Sequence, residues 1–318
     1  MTSPINICVL GGTGFVGTEL VTRLVRNGHW VRVPTRSPGR GQHLKVLSTV
    51  ELVTANVHDP RTLGQLLNGM DAVINLIGIL NQSRRATFQS VHADLAAKVI
   101  AAARNAKIRR LLQMSAAGAD PERGPSRYLR SKGAAEAHLH DAAANLDFTI
   151  FRPSVIFGPR DSLTNRFASL LRLPGGFLPL ARSRARFAPV YVGDVAEAFV
   201  HTLADAKSYG KTYELCGPQV LTLEQLVRLT AAVARLPCRI LRLPDALGFL
   251  QAALLGLIPG KPFSLDNFRS LGIDSLCAQD GLAQLGIRPR HMMAVLPFYL
   301  GPFTAPTELD AYRKTYEE

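Results

Sequence analysis

The sequence predicts an α/β fold with a doubly wound parallel sheet, and two patterns carry this prediction. The first is a short apolar run, Ile5 to Leu10, that ends in glycines and leads into a helical pattern. Such a run, bounded by a turn, is typical of a buried strand. The second is the alternation of further apolar runs with helical patterns as far as residue 152. Strands that alternate with helices at this spacing form βαβ units, whose strands are parallel.

The glycines after the first strand predict a nucleotide site. In a strand–turn–helix setting one glycine permits a tight turn, one lets the backbone approach a pyrophosphate, and one lets helix and strand pack closely. A helix is predicted over residues 18–27, with Gly28 as its C-terminal cap. Free N–H groups at a helix start favour an anion. A plain glycine-rich turn is the alternative. The candidate ligands of the dinucleotide here are Gly11, Thr13, Gly14, Phe15, Val16 and Gly17.

The choice of cofactor depends on the end of the second strand. The run Trp30 to Val33 predicts that strand, which ends near Thr35 and Arg36. A protein that prefers NAD(H) carries an acidic residue here for the ribose 2′-hydroxyl, yet no acidic residue occurs between Glu19 and Glu51. Arginine suits a 2′-phosphate, so the sequence favours NADP(H), bound by Arg36, over NAD(H). In the alternative interpretation Arg36 lies on an exposed loop and binds no ligand.

The later strands end at further candidate contacts. Apolar runs that open at Glu51, Asp71 and Arg110 predict the third, fourth and fifth strands, and a sixth covers residues 148–152. In a parallel sheet the ligand lies outside the carboxyl ends of the strands. The candidate contacts at the ends of the third and fourth strands are Asn56 and Val57, where an adenine could rest, and Leu76, Ile77 and Gly78.

A tyrosine and a lysine follow the fifth strand at helical spacing. Tyr128 and Lys132 are four residues apart and therefore share one face of the predicted helix. A nearby ammonium is expected to lower the pKa of the phenol, which would make Tyr128 an acid or base for a carbonyl or an alcohol. The same lysine could bind ribose hydroxyls. A chance pairing is the alternative, and the position in a nucleotide-binding fold argues against it.

Three motifs in this order resemble the short-chain dehydrogenase/reductase superfamily in its extended form. They are Gly11-x-x-Gly14-x-x-Gly17, Tyr128-x-x-x-Lys132 and the stretch from Arg152 to Pro159, and the resemblance covers residues 4–230. The residues around Ser115 and Lys132 are most similar to an atypical branch of the superfamily. That branch contains the nucleotide-binding accessory subunit of respiratory complex I and bacterial NAD-dependent epimerase/dehydratases. The resemblance implies that Pro153, Ser154 and Val155 lie beside the nicotinamide.

The departures from the superfamily pattern concern catalysis. Extended members place a catalytic Ser or Thr where this chain has Ala117. Ser115 could substitute as a third catalytic residue beside Tyr128 and Lys132, because it precedes Tyr128 by 13 residues, as in the shorter enzymes. The asparagine of the superfamily's proton relay is replaced around Val91 and His92. Without a hydroxyl group that donates a hydrogen bond to the substrate oxygen, much of the stabilisation of the transition state is missing.

Two hypotheses for the function follow. In the first, the chain is an accessory or weakly catalytic NADP(H)-binding protein linked to respiratory or quinone metabolism. In the alternative, it is an active NAD(P)-dependent reductase or epimerase/dehydratase that acts on a small carbonyl compound or a nucleotide sugar. Ala117 favours the first hypothesis, and the Tyr128 and Lys132 pair favours the second.

The remaining residues are predicted to form a smaller domain on the substrate or partner side. We expect residues 1–157 to be the Rossmann-type NAD(P)-binding domain, with residues 187–204 returning to it, and residues 158–318 to be the smaller domain. The apolar run Ala246 to Ile258 is too short to cross a bilayer. It is expected to be a core helix. In the alternative, Leu250, Leu254 and Leu257 form an exposed stripe for a membrane or a partner.

Composition narrows the classes of partner. The 318 residues carry a net charge of +13, from 37 Lys and Arg against 24 Asp and Glu. This excess of positive charge fits a polyphosphate ligand. The part that such a ligand does not neutralise fits an anionic protein partner, a lipid surface or simply a solvent-exposed face. No zinc, helix-turn-helix or RNA-binding signature is present, so neither a metal nor a nucleic acid is expected. Four cysteines without a C-x-x-C pair favour a reducing, cytoplasmic location, alternatively at the periphery of a membrane.

Overall fold

The computed structural model describes residues 3–259 and 261–301 and divides into two compact units. The first unit comprises the residues up to Pro153 together with Val192–Leu215 and Cys277–Arg288. The second comprises Ser154–Tyr191, Cys216–Leu276 and the described residues from Pro289 onward.

The strands and helices alternate along the first half of the chain. The strands are β1 (Asn6–Leu10), β2 (Trp30–Thr35), β3 (Val50–Thr54), β4 (Ala72–Asn75), β5 (Arg110–Met114), β6 (Asp147–Pro153), β7 (Ile156–Phe157), β8 (Phe177–Ala181), β9 (Arg186–Phe187), β10 (Val190–Tyr191), β11 (Lys211–Leu215), β12 (Leu221–Thr222) and β13 (Arg239–Leu243). The helices are α1 (Phe15–Arg26), α2 (Pro60–Leu67), α3 (Asp94–Asn105), α4 (Arg127–Asp141), α5 (Thr164–Leu171), α6 (Val192–Leu203), α7 (Leu223–Val233), α8 (Asp245–Leu255), α9 (Leu265–Ser270), α10 (Gly281–Gln284), α11 (Met292–Val295) and α12 (Pro297–Leu300).

The first unit is built on a seven-stranded sheet, which confirms the predicted fold class. The strand order is β3-β2-β1-β4-β5-β6-β11, and every neighbouring pair is parallel. The order reverses between β1 and β4. At such a switch point the connections leave the sheet in opposite directions, which opens a crevice at the carboxyl ends of the two strands. The glycine turn after β1 and Gly78 after β4 both border this crevice.

Helices cover both faces of the sheet. On one face a cluster of buried residues joins Cys8 and Leu10 of β1 to side chains of α2, α3 and α4. On the other face the rings of Phe151 in β6 and Phe199 in α6 lie 4.1 Å apart. A sheet buried on both faces explains why its strands are continuous apolar runs in the sequence.

Helix α1 begins three residues earlier than predicted, at Phe15, and ends as predicted. Gly28 has a φ of +85°. Its N–H donates to the Val25 carbonyl, and the next N–H, of His29, donates to the Leu24 carbonyl. These two bonds form a Schellman motif, in which a glycine at positive φ satisfies carbonyl groups at the helix end.

The second unit contains a parallel pair of strands, β8 and β13, and helix α8 packs against β8. The expectation that this apolar segment is a core helix is wrong. Leu250 and Leu254 are 53% and 58% exposed, and Leu257 is 83% exposed. Its buried residues are the small ones, Gly248 and Ala252. A periodic apolar pattern cannot show which side of such a uniformly apolar helix faces the protein.

The four cysteines are of two kinds, two free and two disulfide-bonded. Cys216 and Cys277 are disulfide-bonded. Cys8 and Cys238 are free, and burial raises the pKa of the Cys8 thiol to about 12, so this group is an unreactive part of the core. Within the described part of the chain no helix combines the length and the apolar character needed to span a membrane.

Candidate functional site

The glycine turn shapes one side of the crevice. Gly11 has a φ of +83°, a conformation that side chains with a Cβ rarely adopt. A Cβ on Gly17 would lie 2.2 Å from the Gly11 carbonyl oxygen, so only glycine lets α1 approach the turn this closely. Thr13 packs against the backbone of Gly41, whose Cβ would lie 3.0 Å from the Thr13 methyl carbon.

The start of α1 is open to an anion. Gly14 is the exposed N-cap residue, no side chain caps the helix, and its first turn contains no acidic residue. The N–H groups of Phe15, Val16 and Gly17 belong to this first turn, where an α-helix leaves them without a partner in the helix itself. Together with the helix dipole they favour a phosphate at this position.

Arg36 stands at the carboxyl end of β2 with an uncommitted guanidinium. It is exposed and forms no hydrogen bond or ion pair with the described residues. Arg32 differs, because its Nε donates to Glu51 at 2.7 Å and one of its terminal nitrogens to the Leu66 carbonyl. Burial, Lys98 and Arg36, in that order, lower the pKa of His58, which places the Arg36 charge near the end of β3.

The end of β3 supplies one exposed and one buried candidate. Asn56 is exposed, and its side-chain oxygen accepts the His58 N–H at 3.1 Å. This bond holds the turn that follows the strand. Val57 is buried, and its side chain belongs to the hydrophobic cluster on one face of the sheet. Asn56 is therefore the one of the two whose side chain is open to a ligand.

The end of β4 lies against the tyrosine–lysine helix. Leu76 and Ile77 are half-buried, and the Ile77 N–H donates to the Asn75 side chain. Gly78 is exposed, and a Cβ there would lie 3.3 Å from Lys132 Nζ and 3.4 Å from His92 Nε2. The glycine thus leaves room beside the ammonium at the mouth of the crevice.

Lys132 is buried and points at the same place. Its Nζ donates to the Met114 carbonyl at 3.1 Å, at the carboxyl end of β5. Burial lowers the pKa of Lys132 to about 8, and the negative charge of Glu136 opposes this shift. An ammonium group offers three donors, and Met114 takes one of them. Lys132 can therefore also donate to ribose hydroxyls.

Tyr128 lies in an aromatic environment. Its ring meets the rings of Phe88 and His92 edge-on, with centroids 5.8 Å and 5.5 Å away. Burial raises the pKa of Tyr128 to about 12. The expectation that the pKa of this phenol is lowered is wrong in this structure, because burial disfavours the charged phenolate.

His92 ties the end of β4 to α4. Its Nε2 accepts the Ile79 N–H at 3.0 Å, so the proton of the neutral ring sits on Nδ1, which donates to Ser131 Oγ at 2.8 Å. Ser131 in turn donates to the Tyr128 carbonyl. Burial and the Lys132 charge lower the pKa of His92 to about 2. The ring is therefore a fixed neutral connector.

This role of His92 was missed by the sequence reasoning. In the sequence this position stands out only because the superfamily's asparagine is absent there. The signal that could have found it is the spacing of Phe88 and His92, which are four residues apart and stack in the structure. The segment Gln89–Ala93 is a π-helix, a local widening that often occurs at functional sites.

Ser115 has a buried hydroxyl group without a partner among the described residues. It follows β5 and is 3% exposed, and its Oγ makes no hydrogen bond to the described residues. Ala117, two residues on, is buried and offers only a methyl group. A buried hydroxyl without a partner costs free energy, so Ser115 fits a site that a ligand completes.

The last candidates come from the end of β6. Pro153 ends this strand, and its carbonyl accepts the Ala117 N–H at 2.9 Å. Ser154 and Val155 belong to the second unit, where Ser154 Oγ donates to the Ser275 carbonyl at 2.6 Å and Val155 packs on a hydrophobic cluster. Pro153 therefore lies in the same unit as Tyr128 and Lys132.

Comparisons with known proteins agree with this geometry. A family model described as NAD(P)H-binding matches residues 11–169. The mitochondrial NADH dehydrogenase (ubiquinone) 1 alpha subcomplex subunit 9 of Arabidopsis thaliana is 34% identical over 296 residues, which cover 88% of this chain and 73% of the relative. A ceramide reductase of Caulobacter vibrioides is 32% identical over 260 residues, which cover 78% and 76%.

A solved structure shares the fold. It is a UDP-glucuronic acid 4-epimerase from Bacillus cereus in complex with UDP-glucuronic acid and NAD, with a TM-score of 0.73, 17% identity, and coverage of 98% of this chain and 100% of that chain. The expected resemblance is confirmed. The chain belongs to the NAD(P)H-binding family, among proteins related to the short-chain dehydrogenase/reductase superfamily and to the accessory subunit of complex I, and it binds a nicotinamide dinucleotide.

Proposed function

We propose that this chain is an accessory protein that holds NADP(H) in its first unit and turns it over slowly or not at all, as part of a respiratory or quinone-linked assembly. The observation that carries the choice of cofactor is the uncommitted Arg36 guanidinium at the carboxyl end of β2, where no carboxylate competes. A 2′-phosphate would give this group a charge-assisted hydrogen bond.

The residues of the crevice fit such a ligand. The first turn of α1 would bind the pyrophosphate, Arg36 the 2′-phosphate, and Lys132 the ribose beside the nicotinamide, where Gly78 leaves room. The unpartnered Ser115 Oγ would gain a hydrogen-bond partner. When bound, the nicotinamide supplies a hydride donor or acceptor.

Several features support slow turnover. With its pKa raised to about 12, Tyr128 is a weak acid at neutral pH and stays protonated. Ala117 supplies no hydroxyl to a substrate oxygen, and His92 is neutral and occupied at both ring nitrogens. A site with these properties binds and orients a dinucleotide better than it transfers protons.

The accessory role is supported by the relatives. The Arabidopsis thaliana relative is, by its name, a subunit of mitochondrial NADH dehydrogenase, and the similarity extends over 88% of this chain. Similarity over both units, rather than over the nucleotide-binding part alone, is what a shared docking role requires. By this analogy we propose a larger protein complex as the partner.

A reductase that acts on a small carbonyl compound or a nucleotide sugar is the second candidate. The residue that favours it is Ser115. Its Oγ has no partner among the described residues, and it precedes Tyr128 by 13 residues in the sequence. A Ser–Tyr–Lys set could bind and protonate a carbonyl oxygen. The relative named ceramide reductase also favours an active enzyme.

Cofactor titrations test the first part of the proposal. Arg36→Ala should weaken NADPH binding about ten- to a hundredfold, because it removes a charge-assisted contact of about 1.5–3 kcal/mol. NADH binding should not change. Arg40→Ala is the matched control, since Arg40 is also exposed and without a side-chain partner among the described residues. Equal dissociation constants of the unaltered protein for NADPH and NADH would refute the proposed preference.

Turnover measurements separate the two candidates. We expect weak or absent hydride transfer to small ketones and nucleotide sugars, and a gain in the Ala117→Ser variant, which restores a hydroxyl at the superfamily position. Rapid turnover by the unaltered protein that Tyr128→Phe abolishes would establish the reductase instead. NADPH binding, followed by fluorescence in each variant, shows whether the site is still loaded.

A further inference from the structure

Helix α8 presents its largest side chains to the outside. Leu247, Leu250 and Leu254 of the helix and Leu257, two residues past its end, are called the leucine stripe below. They recur at spacings of three and four residues and are each more than half exposed. Phe249 beside them is 49% exposed. A helix that packs on a protein normally turns such residues inward. The stripe is therefore unlike the outer face of an ordinary surface helix.

The inner face of α8 explains why the leucines cannot turn inward. A Cβ on Gly248 would lie 2.8 Å from the Ala181 Cβ and 3.0 Å from the Phe268 ring. Ala252, one turn on, is fully buried. This close packing admits only the smallest side chains, so the leucine stripe is held outward by the structure of its own unit.

The strands beneath α8 extend the apolar surface. Ala181, which contacts α8, Pro179 and Phe177 alternate along β8 and so share one face. Leu241 is paired with Pro179 across the two strands. Phe177 and Leu241 are 61% and 60% exposed. The apolar surface therefore continues from α8 onto the outer face of this strand pair.

Basic side chains border this surface at both ends. Arg239 is paired with Phe177 across the strands, and its guanidinium lies 5.3 Å from the centre of that ring. Beyond the far end of α8, the Pro262 carbonyl accepts a hydrogen bond from the Arg166 guanidinium. Asp245, the acidic residue of α8, is paired with Arg182 at 3.1 Å. Arg166 and Arg239 thus add positive charge at the border of the apolar surface.

The whole unit shares this sign of charge. Its described residues hold 13 lysines and arginines and five aspartates and glutamates. Glu224, Asp245 and Asp274 are in ion pairs with arginines. A second copy of the chain would bring the same positive charge to the apolar surface and would be repelled. An anionic lipid bilayer, which has negative headgroups and an apolar interior, complements both the charge and the apolar side chains.

We infer that the leucine stripe docks the second unit onto an anionic lipid bilayer. The helix lies in the plane of the membrane, its leucines enter the boundary between headgroups and acyl chains, and Arg166 and Arg239 lie among the lipid phosphates. Burial of leucine side chains supplies most of the affinity. The two arginines make the affinity depend on salt and on anionic lipid.

Vesicle co-sedimentation tests this inference. The unaltered full chain should sediment with vesicles of phosphatidylcholine and phosphatidylglycerol, less so at high salt, and little with pure phosphatidylcholine. The double variant Leu250→Gln/Leu254→Gln should lose about tenfold or more in the partition coefficient. Val220→Gln is the matched control, because Val220 is 55% exposed in the same unit. Arg239→Gln should cost about fivefold on the anionic vesicles only.

Melting curves of all variants show that the unit is folded, since the replaced side chains are exposed. Lack of sedimentation of the unaltered protein, or equal sedimentation of the double variant, overturns the inference. The inference is also overturned if the unaltered protein does not bind vesicles and is a dimer in sedimentation equilibrium, while the double variant is a monomer. The leucine stripe would then bind a second copy of the chain.

Discussion

Burial decides the charge of the side chains around the end of β4. Tyr128 keeps its proton, with a pKa raised to about 12, and His92 stays neutral, with a pKa lowered to about 2. The pKa of Lys132 is lowered to about 8, so this ammonium can lose its proton slightly above neutral pH. In each case desolvation is the largest cause. At neutral pH Tyr128 and His92 are therefore uncharged, whereas Lys132 is still mostly a cation.

At this scale we predict that His92 makes stability depend on pH. Its pKa in the folded state lies below the unfolded value of 6.5, so the unfolded chain binds more protons as the pH falls below 6.5. The stabilisation is fully present above pH 6.5 and is lost as the pH decreases. The difference in unfolding free energy between the unaltered protein and His92→Gln should fall by about 1.4 kcal/mol per pH unit below pH 6.

Urea unfolding at pH 7.5, 6.5 and 5.5 measures this difference. The contributions of groups that titrate alike in the two proteins cancel in it. Parallel stability curves for the two proteins over this range would contradict the neutral, buried His92. His138→Gln provides a control, because it replaces a histidine of α4 for which no connection between elements is observed among the described residues.

At the scale of the element, α8 shows that a helix can be apolar all round and still lie at the surface. Its packing rests on Gly248 and Ala252, which allow the helix axis to approach β8, while Leu250 and Leu254 remain exposed. The stability of the second unit therefore depends on the smallest residues of the helix rather than on its largest.

This packing predicts an inverted mutational pattern. Ala252→Leu should lower the unfolding free energy by about 1–3 kcal/mol, because the added atoms must fit where the helix touches β8 and Phe268. Leu250→Ala should change it by less than about 0.5 kcal/mol, because the side chain is exposed. Denaturant unfolding of both variants checks this. A larger loss in Leu250→Ala than in Ala252→Leu would show that the leucine is part of the core.

At the scale of the molecule, the residues proposed to bind the dinucleotide come from several strands of the first unit. Strands β1, β2, β4 and β5 end at the same edge of a parallel sheet, and their loops carry the glycine turn, Arg36, Gly78 and Ser115. Residues far apart in the chain meet there because parallel strands return to the same edge. Ligand binding should therefore stabilise this unit as a whole.

We predict a thermal shift that reports this linkage. NADPH at a hundred times its dissociation constant should add about 2.7 kcal/mol to the stability of the folded state, and the melting transition of the first unit should rise accordingly. At the same concentrations NADH should raise it less, and Arg36→Ala should remove the difference. Calorimetry with each cofactor measures the shift. An unchanged melting temperature with NADPH would contradict binding to the folded chain.

The sequence by itself determined the sheet, the glycine turn and the tyrosine–lysine pair. These features depend on local rules: a buried parallel strand must be an apolar run, Gly11 must accept a positive φ, and residues four apart share one helical face. The missing acidic residue after β2 is also visible without a structure. Such features were predictable because each depends on a few consecutive residues.

Only the tertiary structure decided how Tyr128 ionises, what His92 connects, and which way the leucine stripe faces. Each of these depends on neighbours distant in the chain. Phe88 and His92 surround the phenol of Tyr128, and Ala181 and Phe268 exclude any large side chain from the inner face of α8. The desolvation of a group and the free space beside a helix both depend on all the residues that surround them in the fold. The local pattern of the sequence does not show which residues these are.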